Sequence, residues 1–453
     1  MSSIWKCAEY EIDTDIPQIM GIVNVTTDSF SDGGAYIDTQ AAIAHAGELI
    51  AQGATILDIG GESTRPGSSA VSPEVEMARV VPVVESLAGC GVPISVDTRN
   101  AETARAAIAA GAHIINDISG FTDPEMIDAV AGSRVGLVVM HMNGEPKSMQ
   151  SDPTYDDVVR DVCAFLEQRG VDLQRHGIER DRICLDPGFG FGKSYEHNLL
   201  LLGGMGRIVG LGYPVLVGVS RKKFIERLSG IAEPALRDVP SAQIALDLIY
   251  RGAAIVRVHN VEETKAEIDR KADSVAAYIA LGTNIGDRLE NLQNAVGQLQ
   301  RIPCTNVTRA SRAVESEPAY KTDQQNFGNA VVKLETSLGM FALFAEIQYI
   351  EQRMGRVKSE ENGPRIIDLD LLLYGDTVYK TSELEVPHVG IEERAFVTEP
   401  LLEIDPGIVL PDGRAVARAK AAVGHVKGVI GEIIGDIVDV NGVQASKVSP
   451  NLQ

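Results

Sequence analysis

The sequence predicts an α/β protein in two parts: a (β/α)8 TIM barrel over residues 1–275, followed by a ferredoxin-like α+β domain over residues 276–453. Eight short β-branched runs alternate with Ala-rich helical stretches up to about residue 275, and a βαββαβ pattern replaces them afterwards. Ligand-type polar residues recur at the end of each of the eight runs. The length of 453 residues agrees, since at ~150 residues per domain it suggests two or three domains.

The eight runs are "QIMGIVNVT", "ATILDIGG", "VPISVDT", "IINDISG", "GLVVMHM", "ICLDPGFG", "PVLVGVS" and "AAIVRVHN". Each is nearly continuously apolar, as expected of parallel strands buried on both faces. The segments between them, such as "TQAAIAHAGELIAQG" and "NAETARAAIAAG", end at Gly, a helix stop. Eight such units in about 250 residues have the length and rhythm of a closed barrel. An open doubly wound sheet is the main rival, but it needs no regular count of eight and usually carries a glycine fingerprint after its first strand.

The run ends carry Asn24, Asp58, Asp97, Asn116 with Asp117, His141, Asp186, Lys222, and Arg257 with His259. In a barrel these ends share one rim, where active sites are built. Turn and N-cap roles account for Asp58 or Asp117 taken singly, and an N-cap is the alternative for Asp97. They do not account for the whole series. "PGFGFGKS" resembles a phosphate loop superficially, but Pro187 occupies the position where that loop needs its first Gly.

After residue 275 a short strand in "AAYIALGTNIGDRLENLQNAVGQLQ" leads into a helix with apolar spacing through Ile285, Leu289, Leu292 and Val296. Two alternating runs, "NVTRASRAVES" and "NFGNAVVKLET", precede the helix "GMFALFAEIQYIEQRMG" and the strand "RIIDLDLLLYG". This order suggests the ferredoxin-like arrangement. The helix "VEETKAEIDRKADSVAA" is expected to run almost directly into the new strand, which would hold the two parts close. From "AVARAKAAVGHVKGVIGEIIGD" onward the pattern weakens, and "NGVQASKVSPNLQ" is expected to be frayed.

Asp368 and Asp370 lie inside an apolar strand-like run, and alternation points both carboxylates to one face, roughly 7 Å apart. Unpaired, they would repel and oppose burial. The net charge of −22 argues against nucleic acid as a partner, and it opposes anionic substrates unless basic residues gather at the sites. The five cysteines form no CxxC pair and fit free thiols in a reducing cytosol. No apolar run approaches the ~20 residues of a membrane helix, and the first residues do not read as a signal peptide. The expectation is a soluble, cytoplasmic protein.

The motifs "NVTTDSFSDGG", "DIGGESTRPG", "SVDT", "INDISG", "LDPGFGFGKSYEHN", "GVSRK" and "RVHNV" resemble those of dihydropteroate synthase, from about residue 18 to 262. That family joins 6-hydroxymethyl-7,8-dihydropterin diphosphate to p-aminobenzoate on a (β/α)8 barrel and releases diphosphate. The resemblance implies that Asp97, Asn116 and Asp186 read the pterin edge and that Lys222 hydrogen-bonds the ring. It implies Asn24 as a ligand of one magnesium ion, with Thr64, Arg65, Arg257 and His259 as anion-binding groups. Phe191 and Ser220 resemble the p-aminobenzoate contacts, with Phe30, Thr64 and Pro66 on closing loops. Thr27 stands where the family usually has Pro, which loosens one fixed φ. A dimer through the barrel is also implied.

The later motifs "YIALGTNIGDRLENL", "TDQQNFGNAV", "MGRVKSEENGPRIIDLDLLLYG" and "VPHVGIEERAF" resemble 6-hydroxymethyl-7,8-dihydropterin pyrophosphokinase, over about residues 277–415. That family transfers diphosphate from ATP, a substrate, to the pterin. By resemblance Asp368 and Asp370 face two magnesium ions, for which paired carboxylate oxygens are suitable hard ligands. Glu351, Arg365, His388 and Arg394 are implied as contacts of the nucleotide or its phosphates, with Arg356 on the catalytic loop. Phe327 and Phe396 would sandwich the pterin, and Asn329 would read its edge. The segment "VKSEEN" departs from the family by placing Glu360 and Glu361 where basic residues are usual, which implies a weaker kinase. A pterin-binding methyltransferase is the rival for the barrel; "ESTRPG" and "GVSRK" weigh against it. The rival for the second part is a weak or silent kinase kept as a docking or dimerisation module.

Overall fold

A computed structural model describes residues 4–25, 34–62, 71–144, 149–150, 153–270, 274–356, 363–418 and 423–433. The chain divides into two compact units, Met1–Arg227 with Ile231–Arg270, and Leu228–Gly230 with Lys271–Gln453.

The first unit opens with an antiparallel hairpin of β1 (Ile4–Cys7) and β2 (Tyr10–Asp13). The eight predicted runs then form β3 (Gln18–Asn24), β4 (Ile56–Gly60), β5 (Ile94–Asp97), β6 (Ile114–Asp117), β7 (Gly136–Met140), β8 (Ile183–Asp186), β9 (Leu216–Val217) and β10 (Ile255–Val258). They pair in parallel in the order β8-β7-β6-β5-β4-β3-β10-β9. A parallel bridge between Leu185 and Val215 joins the two ends and closes the cylinder. The predicted helix stops are real: Gly53 and Gly111 follow helices with φ of +108° and +106°, a conformation that an L side chain rarely adopts.

The hairpin had no sequence signal, because strands of four residues are too short to show alternation. Its Trp5, Cys7 and Ile12 pack with Met20, Ile56, Ile114, Val138, Cys184 and Leu216, which lie at or near the starts of barrel strands. The hairpin therefore plugs the N-terminal mouth of the barrel. Trp5 Nε1 donates to the Arg182 carbonyl at 2.9 Å, so its one polar atom is satisfied in full burial. Gly136 is required beneath it, since a Cβ there would lie 2.4 Å from Cys7 Sγ.

In the second unit the predicted βαββαβ order is present with changes. The strands are β11 (Val275–Thr283), β12 (Thr305–Ala310), β13 (Ala313–Ser316), β14 (Phe327–Thr336) and β15 (Asp368–Tyr374). A small pair follows, β16 (Tyr379–Lys380) and β17 (Glu385–Val386), and then β18 (Val426–Gly431). The main sheet runs β15-β11-β14-β13-β18, with β12 also on β14, so the first strand lies between the third and fourth strands of the ferredoxin-like order, β14 and β15. Helices Arg288–Leu299 and Met340–Arg353 are the two predicted ones, and Ala395–Ile404 adds a third.

Three expectations change. The run "NVTRASRAVES" is two strands, broken at Ser311 and Arg312. The helix after β10 ends at Asp269, and residues 275–277 belong to β11 instead of extending that helix. The weak segment after residue 415 contributes β18, which pairs with β13. Among the described residues no helix is long and apolar enough to cross a membrane.

Trp5→Ala should lower the unfolding free energy of the barrel by ~3–5 kcal/mol, as for other large buried aromatics. Urea denaturation followed by far-UV circular dichroism checks this, and the fall should come without a change in rim chemistry.

Candidate active sites

Strand register gathers the predicted rim residues. Asn24 pairs with Gly60, Gly60 with Asp97 and Asp97 with Asn116, while Asp186 at the end of β8 pairs with Met140. One layer deeper, fully buried Asp58 accepts from Ser95 Oγ at 2.6 Å, from Arg257 Nε at 2.5 Å and from Asn116 Nδ2 at 3.4 Å. Arg257 Nη2 donates to Asp97 Oδ2 at 2.8 Å. A guanidinium from β10 thus bridges carboxylates on β4 and β5. Burial pushes Asp97 up to about 7; Arg257 opposes the rise and Asp58 adds to it.

Asp97 is not a helix cap, because Asn100 occupies that position before helix Ala101–Ala109. Asp117 is a turn residue: its carboxylate accepts from Ser119 N at 2.7 Å and Phe121 N at 2.8 Å. Asn116 keeps a buried Oδ1 with no partner among the described residues, an acceptor available to a ligand N–H. Buried Asp186 accepts from Gly188 N at 2.7 Å. Burial raises its pKa, and Lys222 is the main opposing influence.

The turn "GVSRK" sorts its side chains by a left-handed residue, Arg221, at φ +59°. Arg221 turns to Asp238 with two bonds of 2.6 and 2.8 Å. Ser220 Oγ lies 3.0 Å from His259 Nδ1. Lys222 Nζ donates to the Phe189 carbonyl and lies 4.4 Å from the centre of the Phe191 ring. Burial lowers Lys222 to about 8, against the attraction of Asp186. Lys193 of "PGFGFGKS" is buried on carbonyls of its own loop, as a non-phosphate-loop reading requires. Thr64 and Arg65, with Thr27, Phe30 and Pro66, lie outside the described residues.

In the second unit one cavity of about 220 Å³ collects Phe327, Asn329, Arg356, Arg365, Asp368, Asp370, His388, Arg394 and Phe396. The sheet brings them together. Gly282 of β11 pairs with Asp368 on one side and Asn329 on the other, and its missing side chain leaves the row open. Arginines stand opposite the two aspartates. Arg356 Nη2 meets Asp368 Oδ1 at 2.6 Å, Arg365 Nη1 meets Asp368 Oδ2 at 2.7 Å, and Arg394 Nη1 lies 3.8 Å from Asp370 Oδ2. Burial raises the Asp368 pKa, Asp370 adds to the rise, and the arginines oppose it.

Glu351 departs from the expected ligand contact. It lies outside the cavity lining, where its Oε1 accepts from Leu369 N at 2.7 Å and from Arg356. It anchors β15 and one arginine. Phe396 packs against Gly424, where a Cβ would lie 2.2 Å from the ring. Glu360 and Glu361 lie outside the described residues.

Sequence reasoning missed several groups. Tyr320 lines the cavity and its hydroxyl accepts from Arg394 Nε at 3.2 Å; an aromatic in a polar loop gave no periodic signal. Asn284 accepts from Arg365 N at 2.8 Å and fixes the "GPR" turn. Fully buried Glu76 takes Thr98 Oγ1, Asn100 Nδ2 and Thr103 Oγ1 at 2.7–2.9 Å, so it holds the segment after Asp97. Its helix position made it look like a solvent-facing acid.

A closed parallel barrel with acids and basic groups gathered at its C-terminal rim has the architecture of (β/α)8 enzymes, which build their sites there. The chain belongs to the pterin binding enzyme family, whose profile matches residues 20–259. The profile of 7,8-dihydro-6-hydroxymethylpterin-pyrophosphokinase (HPPK) matches residues 278–406, so the chain joins two families. The dihydropteroate synthase of Neisseria meningitidis serogroup C is 47% identical over 286 residues, covering 62% of this chain and 99% of the relative. That of Escherichia coli strain K12 is 44% identical over 254 residues, covering 56% and 90%. Among solved structures, Xanthomonas albilineans dihydropteroate synthase with 4-aminobenzoic acid superposes with a TM-score of 0.55 at 47% identity, covering 58% of this chain and 95% of the other. The same organism's enzyme in complex with 7,8-dihydropteroate gives 0.51 at 42% identity, with coverage of 58% and 95%.

Arg257→Met should remove ~3–5 kcal/mol of stability, because it strands a buried carboxylate. Adding Asp58→Asn should recover part of the loss, measured as the denaturation midpoints of the single and double variants.

Proposed function

We propose that the chain performs two consecutive steps of folate biosynthesis. The second unit transfers diphosphate from ATP to 6-hydroxymethyl-7,8-dihydropterin. The barrel unit condenses the product with p-aminobenzoate to 7,8-dihydropteroate and releases diphosphate. What carries this reading is convergence: nine of ten residues taken from the later motifs line one cavity, and the described residues of the earlier motifs meet at one rim.

In the barrel, the donor-rich pterin edge would meet the carboxylates of Asp97 and Asp186 and the unpartnered Oδ1 of Asn116. Each such match avoids ~1–3 kcal/mol of unsatisfied burial. Lys222 would hydrogen-bond the ring, and Arg257 and His259, with Thr64 and Arg65, would hold the diphosphate as charge develops on it. A cation at the pterin methylene is delocalised into the ring, so the amine of p-aminobenzoate attacks without a strong base. Phe191 and Ser220 would position that amine's ring. Asn24 offers a hard, exposed oxygen at the rim, which fits one magnesium ion held largely by diphosphate and water.

In the second unit, Phe327 and Phe396 would stack on the pterin while Asn329, held by its Nδ2 on Ser316 Oγ at 2.9 Å, presents its oxygen to the edge. Arg356, Arg365, Arg394 and His388 would bind the triphosphate, with Glu351 orienting Arg356. Asp370 is the freer of the two carboxylates, and both face the cavity, so the donor set fits two magnesium ions. When bound, these ions would neutralise phosphate charge and stabilise entering and leaving oxygens. We also infer a homodimer through the barrel, supported by family likeness, and a cytoplasmic location, supported by free thiols.

Incubating the chain with ATP, magnesium and 6-hydroxymethyl-7,8-dihydropterin, without p-aminobenzoate, should release pterin-dependent AMP. No AMP, with dihydropteroate still formed from supplied pterin diphosphate, would leave a synthase with a silent partner domain. Asp97→Asn should abolish dihydropteroate formation and spare AMP release; equal loss of both would overturn the two-site reading.

The synthase kcat/KM for pterin diphosphate should peak between pH about 7 and about 8. The Asp97 carboxylate is lost as pH falls through the lower value, and the Lys222 ammonium as pH rises through the upper. Lys222→Arg should move the alkaline limb upward, and a pH–rate profile of both proteins checks it.

A further inference from the structure

Lys193 lies outside every role assigned above, yet it is buried and more heavily bonded than any other lysine among the described residues. Its Nζ reaches the carbonyls of Gly188 and Phe191 at 2.9 Å each and that of His141 at 3.3 Å, and it lies 3.0 Å from His141 Nδ1. Burial, reinforced by the charge of Lys193, lowers His141 to about 3, so that ring stays neutral and accepts at Nδ1.

These bonds are part of a larger pattern. Five successive carbonyls, from Gly188 to Gly192, each accept from a side chain. Lys193 takes the first and fourth, Lys222 the second, Gln150 the third, and Tyr155 the fifth at 2.9 Å. The loop folds this way because Gly188, Gly190 and Gly192 all have φ between +60° and +77°. The bare faces of Gly188 and Gly192 press on the segment after β7, where a Cβ would meet the carbonyls of His141 and Asn143, and that of Gly190 meets the Lys222 side chain. A glycine-rich loop left to itself has the largest conformational entropy to lose. Side-chain donors therefore replace the rigidity that its sequence lacks.

We propose that Lys193 is a positioning residue for the p-aminobenzoate half-site, fixing the Gly188–Gly192 loop so that the Phe191 ring is held ready. This rests on the synthase reading above. Lys193 touches no reacting atom; it acts through the two carbonyls that flank Phe189 and Phe191. Of the pterin-edge residues, Asp97 and Asn116 belong to β5 and β6 and do not share its bonds, whereas Asp186 accepts from Gly188 N at the start of the loop.

The test uses the full chain and Lys193→Met, which keeps the apolar stem and removes the donors. The KM for p-aminobenzoate should rise about tenfold or more, while the Kd for pterin diphosphate should rise by a clearly smaller factor, since only Asp186 of the pterin-edge carboxylates is bonded to the loop. General destabilisation would instead lower kcat without changing either value. Tyr155→Phe, which removes the hydroxyl's bond to the Gly192 carbonyl and its contact with the Asn143 side chain from a half-buried residue, should raise the same KM by a smaller factor and serves if Lys193→Met does not fold. Amide hydrogen exchange gives a readout independent of activity: protection at residues 188–192 should fall in either variant, with β7 and β8 unchanged. Unchanged loop protection, or equal loss of affinity for both substrates, would overturn the inference. A parent chain that makes no dihydropteroate would sink the synthase reading alone, and the exchange data would still decide the role of Lys193.

Discussion

Arg257 bridges the mouth of the barrel from β10 to Asp58 on β4 and Asp97 on β5, and the rim depends on that one guanidinium. Asp58 is fully buried, and a lone carboxylate there would be expelled or protonated. With Arg257 in place, three strands are tied at their active ends and Asp97 keeps an ionised form within reach of neutral pH. Asn116 leans on the same Asp58 oxygen and thereby turns its own oxygen, unpartnered, into the site. The constraint is electrostatic, and its result is geometric.

The second unit meets a similar constraint on a sheet. Asp368 is held by Arg356 and Arg365, and Arg356 is in turn held by buried Glu351. In the proposed reading both sites use carboxylates for a pterin or a metal and must still welcome phosphate. A chain with a net charge of −22 achieves this only by placing arginines where the carboxylates converge. The same side chains that neutralise buried acids are then on hand for anions.

Much of this was legible in the sequence, and what was not has physical reasons. The barrel strands could be read because burial on both faces leaves an apolar run with a polar end. The Asp368–Asp370 pair could be read because alternation fixes which side chains share a face. The N-terminal hairpin could not: its strands are short, and its burial comes from residues far along the chain. β18 was lost because an edge strand alternates weakly. The bonds of Glu351 to Leu369 N and Arg356 could not be read, because they join a helix to a strand and a loop that lie further along the chain. Glu76, Arg221 and Lys193 act through loops whose path depends on positive-φ residues or on tertiary contacts, which no periodicity reports. Tyr320 is an aromatic in a loop, where sequence cannot tell packing from function.

In the proposed reading one chain carries two chemically independent pterin sites linked by a diffusible pterin diphosphate. The most direct test mixes an Asp97→Asn chain with an Asp370→Asn chain and supplies ATP, magnesium, 6-hydroxymethyl-7,8-dihydropterin and p-aminobenzoate. Neither variant alone should make dihydropteroate, and the mixture should restore it, because each supplies the step that the other lacks. A mixture as silent as its components, while the Asp97→Asn chain still releases AMP, would contradict the account.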